Sequence, residues 1–175
     1  MAFWPPLLYL EPMSLTEIKN LIHQAELNFS GSTGRVKLIA VSKVQPGDRV
    51  EAVLKEGHRV FGENRVQEAQ SKWPTFKRKY QDVELHIIGP LQTNKTRAAM
   101  ELADCIHTLD RPKLAKNMAR LAQDIGKCPE LFVQVNTGDE KQKSGISPKE
   151  TGSFVKDCLD MDLPVKGLMC IPPVH

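Results

Sequence analysis

Apolar residues recur along this chain with two different periods, and the points where one period gives way to the other divide it into helices and strands. Ser14-Leu-Thr-Glu17 has the spacing of a capping box, and Leu15, Ile18, Leu21, Ile22 and Ala25 behind it form one apolar stripe, which predicts a helix. Gly47–Glu56, ended by Gly57, and Arg65–Trp73, ended by Pro74, read as shorter helices. Asn94 is placed to cap another. Asp110 is placed to cap a helix whose stripe is Leu114, Met118, Leu121, Ala122 and Ile125, closed by Gly126. Ser147-Pro-Lys-Glu150 repeats the capping-box spacing, with Pro148 at the first helical position and Phe154, Val155, Cys158 and Leu159 on the apolar face.

Between these segments lie six β-rich runs, at 36–41, 59–61, 84–88, 105–109, 131–135 and 165–170. Several are continuously apolar, as strands covered on both faces are. A helix followed by strand–helix steps in strict alternation predicts an α/β fold with a parallel sheet. No G-x-G-x-x-G or Walker loop follows the first strand, which removes the strongest sign of a nucleotide-binding open sheet. Polar residues gather instead just past the strands: Ser42 and Lys43, Glu63 and Asn64, Gln92 and Asn94, Asp110, Asn136. In a (β/α)8 barrel of the TIM type those ends converge on one face, where active sites lie. Eight βα units occupy about 250 residues. With 175 residues, the expectation is such a barrel with six of its eight units.

Composition narrows the class without naming a function. A net charge of +3, with 41% hydrophobic and 26% charged residues, is ordinary for a globular domain and gives no reason to expect a nucleic-acid partner. Lys72, Lys77, Arg78 and Lys79 form the one basic run, expected to be a solvated helix end and loop. Cys105, Cys128, Cys158 and Cys170 are scattered, with no C-x-x-C pair and no histidine at ligand spacing, which fits reduced thiols in a cytoplasmic protein rather than a metal site or disulfide framework. No apolar run approaches membrane-spanning length, so no membrane partner is expected. Residues 1–12, MAFWPPLLYLEP, lack the basic segment and cleavage site of a signal peptide. They are expected to be a flexible extension, with 13–175 forming one domain.

Lys43 ends the apolar run Leu38–Val41 and precedes Pro46. In a partly desolvated pocket the ammonium form of such a lysine is disfavoured, and the neutral amine attacks a carbonyl carbon. The alternative is a lysine reaching out to solvent. Asn64, in Phe61-Gly-Glu-Asn64, can cap the next helix or present its amide to a ligand, and Glu63 can pair with a base or face water. In His86-Ile-Ile-Gly-Pro-Leu-Gln-Thr-Asn-Lys95, Gly89 and Pro90 make a tight strand exit, while His86 points into the barrel or the helix layer. Lys95 and Arg97 stand where a helix N-terminus helps to hold an anion, or on solvated surface. Asn136–Gly145 is a long polar connection from which Lys141 and Lys143 can reach across the mouth or simply keep the loop soluble. No Ser/His/Asp set, H-E-x-x-H or paired-carboxylate motif is present, and no catalytic residue or metal site is assigned.

Together and in this order, these blocks resemble the pyridoxal phosphate homeostasis protein family, also called the proline synthase co-transcribed homologues. The matching stretches are Ala40-Val-Ser-Lys43 with Pro46, Phe61-Gly-Glu-Asn64 with Val66-Gln-Glu68, His86–Lys95, Gln134-Val-Asn136, Lys143-Ser-Gly-Ile146 and Gly167-Leu-Met169. The resemblance implies a barrel like the N-terminal domain of alanine racemase. It implies pyridoxal 5′-phosphate (PLP) held as an aldimine on Lys43, with Asn64, His86, Asn136, Lys143 and Met169 around the cofactor. It further implies a non-enzymatic, cytoplasmic carrier or buffer of PLP, monomeric or weakly dimeric, with PLP-dependent apoenzymes as recipients.

Two departures accompany the resemblance. Arg65 stands where many members have Tyr. The family's phosphate-binding segments lie past the position matching His175, which implies a chain incomplete at its C-terminus. Charge-assisted hydrogen bonds are each worth about 1.5–3 kcal/mol, so losing about three weakens PLP binding by roughly a thousandfold or more. Three other readings stay open: a PLP-dependent racemase- or decarboxylase-like enzyme, a Schiff-base aldolase on a similar barrel, and a remnant that no longer binds PLP well. The first needs a second acid/base opposite the lysine, and the only tyrosines, Tyr9 and Tyr80, lie outside the strand-end blocks.

Overall fold

The computed structural model describes residues 13–138, 140 and 142–172, so the expected extension over 1–12 and the candidate Lys141 lie outside the described residues. The chain divides into two compact units, one up to Leu38 and one from Ile39 onward.

In the first unit, helix α1 spans Leu15–Ser30 and starts with the expected capping box: the Glu17 N–H donates to Ser14 Oγ at 3.2 Å and the Ser14 N–H to Glu17 Oε2 at 2.7 Å. Gly31, at φ 66°, ends it in the left-handed conformation. Buried Glu26 then accepts the N–H groups of Gly34, Arg35 and Val36 at 2.9, 2.6 and 2.7 Å, which fixes the turn of chain that follows. The hydrogen bond from Gly34, joined by the other two, holds the Glu26 carboxyl below its usual pKa.

The second unit contains β1 (Ala40–Val41), α2 (Gly47–Lys55), β2 (Val60–Glu63), α3 (Val66–Lys79), β3 (Glu84–Ile87), α4 (Thr96–Leu102), β4 (Cys105–Leu109), α5 (Pro112–Ile125), β5 (Glu130–Gln134), α6 (Thr151–Asp160) and β6 (Val165–Met169). The strands form one six-stranded sheet in sequential order, every neighbouring pair parallel. Sequential order has no switch point, so the sheet follows the barrel pattern rather than the open doubly wound one. It corresponds to six consecutive strands of a (β/α)8 barrel, the first five each followed by a helix among the described residues.

Strand alternation separates the two faces. Phe61, Leu85, Ile87, Ile106, Leu131 and Val133 join Leu54, Trp73, Met100, Leu114 and Met118 in the core between sheet and helices. The other face carries His86, His107 and Phe132, whose rings lie against one another, and Gly62 between Ile39 and Ile88. That is the face a barrel turns inward.

Several expected boundaries shift. The strand expected at 36–41 is reduced to Ala40–Val41, the stretch paired with Phe61 and Gly62. Helix α3 runs through Pro74 instead of stopping there. Trp73 is fully buried against Phe61 and Phe76, with ring centroids 5.0 and 5.6 Å apart, and this packing offsets the hydrogen bond that Pro74 cannot make. The caps expected at Asn64, Asn94 and Asp110 are not made. Arg65, Lys95 and Arg111 occupy the N-cap positions of α3, α4 and α5, and none of the three makes a side-chain capping bond. Ser147 and Glu150 do bond side chain to side chain at 2.6 Å, but they close a turn, and α6 begins only at Thr151.

Candidate functional site

The C-terminal ends of the strands bring most of the sequence candidates onto one rim. Lys43 is the second residue of a turn closed by the Gln45 N–H on the Ser42 carbonyl at 3.1 Å. The third residue, Val44, has φ 59°, a conformation that a β-branched residue adopts only at a cost. A network behind the turn holds it there. Lys72 Nζ donates to the Ser42 carbonyl at 2.9 Å and to Glu63 Oε1 and Glu68 Oε1 at 3.0 Å each. Glu68 Oε1 also accepts the Val44 N–H at 2.6 Å, and Glu63 Oε1 accepts Ser42 Oγ at 2.8 Å and Trp73 Nε1 at 3.0 Å.

Glu63 is therefore a buried carboxylate paired with a base, the first of its two sequence options. Lys72 is not a solvated charge as expected: its side chain is 12% exposed. Burial alone would lower the Lys72 pKa, but its hydrogen bonds to Glu63 and Glu68 outweigh it and raise the value. Burial likewise pulls Glu68 upward, and Lys72 with the Val44 N–H pulls it further down. Of the rest of the basic run, Lys77 pairs with Asp104, while Arg78 and Lys79 are exposed as expected, Lys79 beside Glu51.

Lys43 itself is exposed. The desolvated pocket expected around it is corrected, and the alternative of a lysine reaching out to solvent holds: it sits in an exposed rim turn. The Lys43 amine makes no hydrogen bond or ion pair with the described residues. Lys43 and Asn64 each follow the end of one of two adjacent strands, β1 and β2, in which Ala40 and Val41 pair with Phe61 and Gly62.

Asn64 is half-buried and its side-chain amide makes no hydrogen bond among the described residues. Its backbone is pressed against Gly89, where a Cβ would stand 2.2 Å from the Asn64 carbonyl oxygen and 2.7 Å from its Cα. Only glycine permits this approach of β2 and β3, so the Gly-Pro exit has a steric cause. A cleft of about 500 Å³ opens beside it, lined by Asn64, Arg65, Gln67, Pro90, Gln92 and Lys95. Arg97 is not an anion holder here: it pairs with Asp124 of α5 at 3.0 Å.

Across Pro90 a second cavity of about 230 Å³ is lined by Gln134, Asn136, Lys143, Ser144 and Ile171 among others. Asn136 Nδ2 donates to the Glu140 carbonyl at 2.9 Å and Asn136 Oδ1 accepts the Glu140 N–H at 3.2 Å, so this amide fastens its own loop. Lys143 pairs with Glu140 Oε1 at 2.6 Å. Gly145, at φ 131°, lets the returning chain pass Asn136, whose nitrogen a Cβ would meet at 2.6 Å. Met169 ends β6 opposite Gln134, and its carbonyl takes the Val135 N–H at 2.8 Å.

His86 lies lower, inside β3 and on the inner face. Its Nε2 is 2.8 Å from Glu84 Oε1 and its Nδ1 is 2.7 Å from Nε2 of His107. The structure thus brings Asn136 and Lys143 into one cavity lining, leaves Lys43 and Asn64 just past two adjacent strand ends, and sets His86 in a separate polar cluster. His107 and Lys72 escaped the sequence reading. The Cys105-Ile-His107 alternation, which puts both side chains on one face of a strand, was the available signal for the first.

The sequence profile described as "Alanine racemase, N-terminal domain" matches residues 6–174. A pyridoxal phosphate homeostasis protein of Pasteurella multocida is 37% identical over 160 residues, covering 91% of this chain and 69% of that protein. The protein of the same name from Escherichia coli K12 is 34% identical over 163 residues, covering 91% and 69%. Among solved structures, PipY of Synechococcus elongatus without PLP superposes with a TM-score of 0.74 at 34% identity, covering 88% of this chain and 72% of that one. PipY solved with PLP bound gives 0.72 at 32% identity, with the same coverage. An alanine racemase of Clostridium difficile, at 12% identity and a TM-score of 0.66, shares the fold.

Proposed function

This chain belongs to the alanine racemase N-terminal domain family and to its pyridoxal phosphate homeostasis proteins, and from that premise we propose that it binds PLP through the amine of Lys43 and takes part in keeping the cofactor available. PLP supplies an aldehyde that can pass from one amine to another. The observation that supports the proposal is an unengaged lysine amine and the unengaged amide of Asn64, each just past the end of one of two adjacent, paired strands.

The residues fit the group. Lys43 stands on a turn that a strained Val44 and the Lys72–Glu63–Glu68 network define, so its backbone is positioned before any ligand arrives. Asn64 and Pro90 border a cleft open to solvent. Asn136, Met169 and Lys143 belong to the same rim, with Asn136 acting on the loop, and His86 underlies it rather than facing the mouth.

The exposure of Lys43 favours a carrier over a catalyst. Catalytic sites exclude water and set a second acid or base against the first. Tyr80, the one described tyrosine, is taken up by Glu51 and Arg59 on the helix layer. A lysine at an open rim suits release of the cofactor to another protein's amine, and PLP-dependent apoenzymes are the recipients this reading implies. The test is a PLP titration of the full chain followed by visible absorption, with and without an apoenzyme. A band that grows with PLP and declines as an apoenzyme gains activity supports the reading; racemisation of an amino acid at enzymic rates by the chain alone overturns it.

A further inference from the structure

We propose that the inner face of the sheet carries a second site, in which His86, Cys105 and His107 bind a transition-metal ion of the zinc class. The ligand atoms of the three side chains lie within 4.8 Å of one another. His86 and Cys105 are register partners on β3 and β4, and His107 follows two residues along β4 on the same face. In a barrel this layer is ordinarily filled by branched aliphatic side chains. Here it holds two imidazoles and a thiol instead, His86 and Cys105 buried and His107 half-buried.

The surroundings orient the cluster as a metal site requires. Glu84 Oε1 sits 2.8 Å from His86 Nε2, the carboxylate that commonly holds the far nitrogen of a ligating histidine and turns its other nitrogen toward the ion. The His107 ring is stacked on Phe132, with centroids 4.7 Å apart and planes 9° from parallel. All three ligands are on adjacent strands, not on loops.

With His86 Nε2 protonated toward Glu84, its Nδ1 presents a lone pair, and the 2.7 Å contact is a bond donated by His107 Nε2–H. On metal uptake that proton moves to His107 Nδ1 and the Cys105 thiol releases its proton to solvent. One net proton leaves for each divalent ion bound. Zinc–nitrogen bonds of about 2.0–2.1 Å in tetrahedral geometry place two ligand nitrogens about 3.3 Å apart, so the rings must separate by about 0.6 Å. Two nitrogens and one thiolate favour zinc or cobalt over magnesium or calcium and leave a fourth position for water or a small ligand.

The experiment is a titration of the full chain, without added PLP, with Co2+. One equivalent is expected to bind, with visible bands of tetrahedral intensity and a thiolate-to-cobalt charge-transfer band, and Zn2+ is expected to bleach both. Cys105→Ser should remove the charge-transfer band, and Glu84→Gln should weaken Co2+ binding about 10- to 100-fold. Cys170→Ser, at an exposed thiol, should change nothing. No charge-transfer band in the unmodified chain, one that survives Cys105→Ser, or one lost in Cys170→Ser overturns the site. If Cys105→Ser does not fold, X-ray absorption of the zinc-loaded unmodified chain decides: two nitrogens and one sulfur support it, an all-oxygen shell overturns it.

Discussion

The ammonium of Lys72 lies 2.9 Å from the backbone oxygen of Ser42, the residue immediately before Lys43. One side chain from the middle of α3 thereby reaches beneath the first strand end and ties it to two carboxylates, Glu63 and Glu68. The rim turn is set from below, by a network the ligand would never touch.

Removing Lys72 leaves Glu63, with no exposed surface, as an uncompensated buried carboxylate. Lys72→Met is expected to cost about 3–5 kcal/mol of stability. Adding Glu63→Gln to the same chain should recover part of that loss. Urea denaturation of the single and double variants checks the coupling; equal, additive losses would contradict it.

Val44 sits at φ 59° and is 85% exposed, so its side chain contributes no packing that a smaller residue would lose. Relief of about 1–3 kcal/mol of backbone strain exceeds the entropy cost of glycine, about 0.5–1 kcal/mol. Val44→Gly is therefore expected to raise the thermal midpoint. A lowered midpoint would show that the turn is not strained.

At Gly89 the clash is between backbone and backbone, so no rotamer change relieves it. Gly89→Ala is expected to cost about 1–3 kcal/mol and to displace Asn64, weakening PLP binding beyond the stability loss. Gly152→Ala, in α6 where a Cβ meets nothing within 4 Å, is the control: it should leave PLP binding unchanged and stability equal or slightly higher. Calorimetric titration with PLP on the two variants separates the effects.

Acid should loosen the network through Glu68. Its folded pKa lies below its ordinary 4.5, so its contribution is fully present above that value and is lost as pH falls through the folded one. Lys72, raised above 10.5, contributes below that value and loses its share as pH rises through its own folded pKa. The stability difference between the unmodified chain and Glu68→Gln is expected to be flat at neutral pH and to vanish in acid. A difference that persists unchanged in acid would contradict the assigned role of Glu68.

How much of this was legible in the sequence depends on distance along the chain. The Ser14–Glu17 box is a local signal and formed as written, because both partners lie within one turn. The same letters at Ser147 and Glu150 made a turn instead, since the chain there must first return past Asn136 through Gly145. The strand order followed from the alternation of apolar runs with helical stripes. Lys72 looked like surface because its partners are Ser42, thirty residues back, and a strand-end glutamate. His107 meets His86 only through the β3–β4 register, which no periodicity within either strand encodes. Asn64 read as a helix cap, and the extended Arg65, at φ −121°, took that position and left its amide free.

The central claim is that one amine, at Lys43, carries the cofactor. The most direct measurement is borohydride reduction of the PLP-loaded full chain followed by peptide mass spectrometry. The account predicts the phosphopyridoxyl mass on the peptide containing Lys43, and its loss without redistribution in Lys43→Ala. A label found chiefly on Lys95 or Lys143, or undiminished in Lys43→Ala, would contradict it.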